Sequence, residues 1–314
     1  MIDTRAPLRL GLVGCGRLAE IGYVAAVQAA AGVEIVAVAD PDRARRGLLA
    51  SRLGASGHAR LDQLLAAGPL DGIVICTPPE DHQEAASAAA EADLTALVEK
   101  PPAPDAAGAL RIAALTPAPW LGFNRRFDQG LALAPRMPAD GDLELNMVLH
   151  YRRKSWRPVA RGDDAMLDLA PHLVDLALFL TASLPLAVRA HATRERAGLV
   201  LATTRGEVKI ECATNRPHHE LVEIRAAGGR RLGRAERGGR VSGVLDRVAR
   251  RTHPLVRSLT LQLEAYGRAL RGEDPGPLAT AGEGAAVMRV LDAARRSDAV
   301  GGDTVAVDGV EVLR

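Results

Sequence analysis

The sequence predicts an α/β protein: an N-terminal doubly wound parallel sheet over residues 1–122, then an α+β domain over residues 123–314 with a mainly antiparallel sheet. Three observations predict it. Up to Phe123, short apolar runs alternate with Ala- and Leu-rich helix-forming segments, the signature of βαβ units. A glycine-rich turn follows the first apolar run. Beyond Asp142 the pattern changes to successive strands with tight connections. At 314 residues the chain is longer than one ordinary core, so two domains are expected.

The first apolar run, Leu8 to Val13, ends in glycines. Ile35 to Ala39 ends at Asp40-Pro41, and Ile73 to Cys76 ends at Thr77-Pro78-Pro79. Leu94 to Val98 ends at Glu99-Lys100-Pro101-Pro102, and Trp120 to Phe123 is a fifth run. Unbroken apolar strands are expected where helices cover both faces of a parallel sheet. The intervening helices are Leu18 to Ala30, Arg43 to Leu53, His82 to Ala90 and Asp105 to Leu115. The second domain reads as a strand over Asp142 to Tyr151 and a helix over Asp164 to Leu180. Strands follow at Val188 to Thr193, Gly198 to Thr203, Glu207 to Ala213 and Glu220 to Ala226, with Thr204-Arg205-Gly206 as a hairpin turn. The basic, Gly-rich stretch Gly228 to Arg251 reads as loop or poorly ordered strand. Helices over Leu259 to Leu270 and Ala281 to Arg296 close this domain.

Composition removes several function classes. A net charge of +2 and 3% aromatic residues argue against a nucleic-acid partner. Cys15, Cys76 and Cys212 form no metal-spaced cluster and no even disulfide set, which fits a reducing cytoplasm. The N-terminus does not read as a secretory signal. The most apolar stretch, Leu173 to Val188, contains Asp175 and Pro185 and is too short to span a bilayer, so no membrane partner is expected.

Gly14-Cys15-Gly16-Arg17-Leu18-Ala19 is G-x-G-x-x-A between a strand and a helix. There, glycines let a pyrophosphate approach the backbone and the helix N-terminus faces the anion. Gly14, Gly16, Arg17 and Leu18 are therefore candidate cofactor contacts. Asp40, ending the next strand, lies near the offset at which an acid binds the ribose hydroxyls. That favours NAD, with NADP as the alternative, because Arg43, Arg45 and Arg46 stand close in sequence. A tight strand–helix turn without ligand is the plain alternative. Thr77 and Pro78 end a strand where ligands of parallel sheets collect. For the prolines, strand termination competes with direct contact. Asp168 and His172 lie four apart on a predicted helix and share a face, with Met166, Leu169, Leu173, Leu176 and Leu180 as the anchoring apolar stripe. A carboxylate beside an imidazole fixes its tautomer and favours its protonated form, which suits proton transfer. A surface i,i+4 pair is the alternative.

Six segments, in order, resemble the Gfo/Idh/MocA oxidoreductase family: "GLVGCGRLAE", "CTPPEDHQEAA" with His82, "VEKPPA", "GFNRRFD", "MLDLAPHLVDLALFL" and "QLEAYGRALRGEDPGP". The resemblance spans nearly the whole chain, although the second domain is short between Ala213 and Leu259. It implies a Rossmann-type domain and a cofactor edge that includes Thr77, Pro78, His82, Glu99 and Lys100. It also implies a cis bond before Pro101, and a catalytic set of Lys100, Asp168 and His172. His172 would be the general acid/base, Asp168 its orienting partner, and Lys100 the group that polarises the substrate oxygen; Lys100 as proton donor is the variant of this scheme. The basic cluster Arg152, Arg153, Lys154 and Arg157 suits an anionic substrate group or is a solvated loop. Tyr151 and Trp156 suit stacking on a sugar face or belong to the core. Arg125 and Arg126 fit a domain junction, with Arg125 a candidate for the substrate as well.

The resemblance points to NAD(P)-dependent hydride transfer to or from a small molecule, a sugar, cyclitol or nucleotide-linked sugar, by a homodimer or homotetramer. Two alternatives stay open: a redox-neutral relative that uses bound NAD for elimination or glycoside cleavage, and a non-catalytic NAD-sensing regulator.

Overall fold

The computed structural model describes residues 6–128, 130–131, 141–152, 164–238 and 253–309. Two compact units emerge: residues 1–128 with 252–284, and residues 129–251 with 285–314.

The first unit is built on strands β1 (Leu8–Val13), β2 (Val33–Ala39), β3 (Ser56–His58), β4 (Gly72–Ile75), β5 (Ala96–Glu99) and β6 (Trp120–Gly122). They lie in the order β6-β5-β4-β1-β2-β3 and are all parallel. The two-residue strand Ala279–Thr280 adds an antiparallel edge beside β6. The apolar runs sit where the sequence predicts because β1, β4 and β5 are covered on both faces: Leu10, Leu12, Ile73, Val74, Ile75, Leu97 and Val98 are fully buried. The helices of this half are α1 (Val24–Ala29), α2 (Arg43–Leu53), α3 (Leu61–Leu65), α4 (His82–Glu91) and α5 (Ala106–Ala113). From β1 the chain builds outward through β2 and β3, then returns to place β4 on the other side of β1. The carboxyl ends of β1 and β4 therefore flank the switch point, where open parallel sheets form a ligand crevice.

The late helix Pro254–Leu270 belongs to the first unit, whereas a single division at residue 122 assigns it to the second. Its apolar face joins the core of β1, β2 and α1: Leu259, Leu263 and Tyr266 cluster with Tyr23, Val24, Val27, Val33 and Ile35. A polar lock adds to this. The buried Tyr266 hydroxyl accepts from the Ile73 amide at 3.0 Å and donates to the Thr95 carbonyl at 2.6 Å. Gly72 makes the lock possible, since a Cβ there would collide with that hydroxyl.

The second unit carries β7 (Leu143–Arg152), α6 (Ala165–Thr181), β8 (Pro185–Thr193), β9 (Arg196–Thr203), β10 (Gly206–Ala213), β11 (Asn215–Ala226) and β12 (Arg231–Gly238). The sheet order is β12-β11-β7-β10-β9-β8, with Val305–Ala306 at the β8 edge. Every pairing is antiparallel except β10 with β7. The turn at Thr204-Arg205 closes the β9–β10 hairpin, and Gly206 beyond it takes φ +110°, which an L side chain rarely adopts.

Of the two readings of Gly228 to Arg251, loop or strand, residues 231–238 take the second and form β12 against β11. The strand lacks an apolar alternation because its cross-strand pairing is ionic. Arg234 and Arg231 reach Glu223 at 3.6 and 3.9 Å, and Arg237 reaches Glu220 at 3.7 Å. Opposite charges across a sheet stabilise a pair much as apolar residues do.

Candidate active site

In the first unit, the turn after β1 is shaped by backbone constraint. Gly14 has φ +90°, and a Cβ there would stand 2.6 Å from the carbonyl carbon and oxygen of Cys76. No other residue fits. Around Gly16 the reverse holds: a Cβ would meet nothing within 4 Å, so open space lies beside that backbone. The chain is helical from 17 to 29, opening through a π turn at Ala19–Tyr23. Arg17 is exposed and pairs with Glu20 at 3.2 Å, and Leu18 is half-buried against the core beneath.

Asp40, 8% exposed, latches this turn. One carboxylate oxygen accepts from the Cys15 amide at 2.7 Å and the other from the Asp42 amide at 2.8 Å. Each oxygen keeps a lone pair for a further donor such as a ribose hydroxyl. Arg46 caps the Asp40 carbonyl at 2.6 Å, and Arg45 pairs with Asp42 at 3.6 Å. The Cys15 thiol is pushed up to about 12, by burial first and by the Asp40 charge second, so it is not a nucleophile.

At the end of β4 the Thr77 hydroxyl oxygen is buried and has no hydrogen-bond partner among the described residues. A buried hydroxyl of this kind fits a bound ligand that supplies the missing bond. Pro78 is exposed. His82, 1% exposed, joins two loops: Nε2 lies 2.9 Å from the Thr77 carbonyl and Nδ1 lies 3.0 Å from the Pro101 carbonyl. Burial depresses its pKa, while the carbonyls favour its proton. The Lys100–Pro101 bond is cis, as the resemblance implies. Glu99 is buried at 5% exposure, and the half-buried Lys100 follows it, its amide donating to Glu99 Oε2 at 3.1 Å. Thr77, His82 and the Lys100–Pro101 turn are thus brought together at one sheet edge. The open space at Gly16, the closed turn at Gly14, the Asp40 carboxylate and the Thr77 hydroxyl together fit a dinucleotide.

In the second unit, Asp164 caps α6 by accepting from the Leu167 amide at 2.6 Å. Met166, Leu169, Leu173, Leu176 and Leu180 are all buried as the anchoring stripe, and Asp175 is buried with them at 1% exposure. Asp168 and His172 are both half-buried, one turn apart on this helix. The Tyr151 hydroxyl, at the end of β7, donates to Asp168 Oδ2. Sequence reading leaves Tyr151 as a stacking surface or a core residue and misses this bond, which joins residues 17 apart with no motif between them. Arg125 lies in the first unit, half-buried on the 3₁₀ turn Asn124–Phe127. Beside it Asn124 donates to Ser258 at 2.9 Å, and the buried Arg126 pairs with Glu283 at 3.0 Å. Arg153 and Trp156 lie outside the described residues.

Residues 8–118 match the model of an oxidoreductase family with an NAD-binding Rossmann fold. An inositol 2-dehydrogenase of Leifsonia xyli is 33% identical over 45% of this chain. The chain spans under half of that relative, 43% of its length. Inositol 2-dehydrogenase 1 of Saccharopolyspora erythraea is 29% identical over 92% of this chain and 94% of its own length. Among solved structures, a myo-inositol dehydrogenase of Lactobacillus casei, in complex with NAD(H) and myo-inositol, superposes with a TM-score of 0.77. It is 16% identical, over 97% of this chain and 98% of that one, a likeness of fold alone.

Proposed function

We propose that the chain is a member of the Gfo/Idh/MocA oxidoreductase family and an NAD-dependent dehydrogenase acting on a CH–OH group of a cyclitol or related sugar, a reading supported by the Rossmann-domain match over residues 8–118 and by the inositol dehydrogenase relatives. The observation that carries the reading is the Gly14-Cys15-Gly16 turn at the sheet's switch point, latched by Asp40. The inositol dehydrogenase relatives support the substrate class.

When bound, NAD supplies the hydride acceptor, or NADH the donor. The chain's own residues do the rest. Gly14, Gly16, Arg17 and Leu18 hold the pyrophosphate, and Asp40 accepts from the ribose hydroxyls. Thr77, Pro78 and His82 line the cofactor edge, with Glu99 bracing Lys100. Lys100 polarises the substrate oxygen with its positive charge. His172 takes or returns the hydroxyl proton, and Asp168 orients it. Arg125, Tyr151, Arg153 and Trp156 are assigned to substrate binding, Tyr151 through its bond to Asp168. NAD is preferred over NADP because Asp40 would repel a 2′-phosphate. A cytoplasmic homodimer or homotetramer completes the reading.

A panel of inositols and sugars, each mixed with NAD and followed by the absorbance of the reduced nicotinamide, tests the proposal. Stoichiometric NADH with a cyclitol supports it. Product formation without net cofactor change would favour the redox-neutral chemistry instead.

A further inference from the structure

We propose that Tyr23 and Gln262 are positioning residues for Lys100, acting through the buried Glu99 carboxylate. The inference rests on Lys100 having the role given above. Tyr23 lies on the π turn after the glycine loop, Gln262 on the late helix Pro254–Leu270, and both are fully buried. Gln262 Nε2 donates to the Tyr23 hydroxyl at 3.1 Å, and that hydroxyl donates to Glu99 Oε1 at 2.6 Å. The Lys100 amide donates to Glu99 Oε2 at 3.1 Å. Each bond in this chain points toward the carboxylate, and each donor polarises the next. Gly122 leaves the carboxylate its room, since a Cβ there would stand 2.9 Å from the carboxyl carbon.

Glu99 is too buried for substrate to reach, so its action passes through the Lys100 peptide that it holds at the start of the cis turn. The groups that face it are the Tyr23 hydroxyl, the Cys76 thiol at the end of β4, Lys100 on its own strand, and the Gln262 amide by way of Tyr23. Burial works against the charged carboxylate. The Tyr23 bond, the Lys100 charge and the Lys100 amide, in that order, work for it. Burial prevails and holds the Glu99 pKa above the ordinary carboxylate value; the Tyr23 bond is the largest influence opposing it, on the carboxylate whose second oxygen takes the Lys100 amide.

The test needs no turnover. In cofactor-free protein with ¹³C-carboxyl glutamate, Glu99→Gln identifies the Glu99 resonance, and backbone amide spectra follow Lys100. Tyr23→Phe is expected to raise the Glu99 midpoint by on the order of one pH unit or more, since a bond to a charged group is lost. The Lys100 amide resonance should move with it. Gln262→Leu should produce a smaller shift in the same direction, and serves if Tyr23→Phe does not fold. An unchanged Glu99 midpoint, or a Lys100 amide that ignores it, overturns the proposal. With a verified substrate, Tyr23→Phe should lower kcat about tenfold at unchanged KM for NAD, with the acid limb of the pH profile displaced in step with the midpoint. A shifted midpoint beside an unshifted pH profile would also overturn it. Lack of hydride transfer in the wild type would instead count against the dehydrogenase reading, while the Glu99–Lys100 coupling is judged by the resonances alone.

Discussion

Asp40 has two tasks, and a substitution separates them. Its carboxylate is proposed to accept from a ribose, and it already accepts from the Cys15 and Asp42 amides at 2.7 and 2.8 Å. Asn in its place keeps the shape but has one acceptor oxygen, so one of the two amides loses its partner and faces a second donor. A hydrogen bond to a charged group is worth roughly 1.5–3 kcal/mol. If the turn then opens in the free protein, closing it again weakens NAD binding by about 10–100-fold, at 1.4 kcal/mol per decade. Asp40→Ala strips both amides and should cost more. A purely electrostatic view of Asp40 predicts that Asp40→Ala gains NADP affinity. The two-amide latch predicts loss for both nucleotides, because both need the turn. Calorimetric titration of each nucleotide against wild type and both variants decides between these views. Hydrogen exchange at the Cys15 and Asp42 amides reports the latch directly. NADP binding that rises in Asp40→Ala, with the two amides still protected, would refute the reasoning.

Other expectations follow from single contacts. Tyr266→Phe leaves the Ile73 amide and the Thr95 carbonyl unpaired in the core, so urea unfolding of the first unit should show a loss of roughly 2–4 kcal/mol, and the Ile73 amide should exchange faster. His82 should make stability depend on pH. Burial holds its folded pKa below the ordinary value of 6.5, so the unfolded chain binds the proton first. Its contribution is therefore full above about 6.5 and is lost as pH falls through the folded pKa, with a slope of at most ~1.4 kcal/mol per pH unit. Denaturation midpoints measured from neutral to mildly acid pH should fall more steeply in the wild type than in His82→Gln.

The parallel sheet was legible because its inner strands are buried on both faces and read as unbroken apolar runs; Leu8–Val13 and Gly72–Ile75 needed no further context. Strand β3 was not legible, because three residues, Ser56–His58, carry no apolar pattern. The helix Pro254–Leu270 was legible as a helix but not as a partner of the first unit, since an amphipathic stripe does not say which core it meets. Gly72 and Tyr266 decide that, 194 positions apart in a sequence that nowhere pairs them. β12 was legible only as loop or strand, because its cross-strand pairs are arginines set against Glu220 and Glu223. At the site, the glycine turn, Asp40 and the Glu-Lys-Pro turn were readable from motif and position. The fork of Asp40 onto two amides, the Tyr151 bond to Asp168 and the Tyr23–Gln262 support of Glu99 depend on side chains converging in three dimensions.

The assignment of Lys100 and His172 to the reaction is tested most directly by single-turnover kinetics of Lys100→Met and His172→Ala, each saturated with NAD and a cyclitol that the wild type oxidises. General acid–base and electrostatic groups contribute about 10²–10⁴-fold, or roughly 3–5 kcal/mol of barrier. The rate of NADH appearance should fall by that order in both variants, with NAD affinity preserved within a few-fold in His172→Ala. Near wild-type rates in both variants would contradict the assignment.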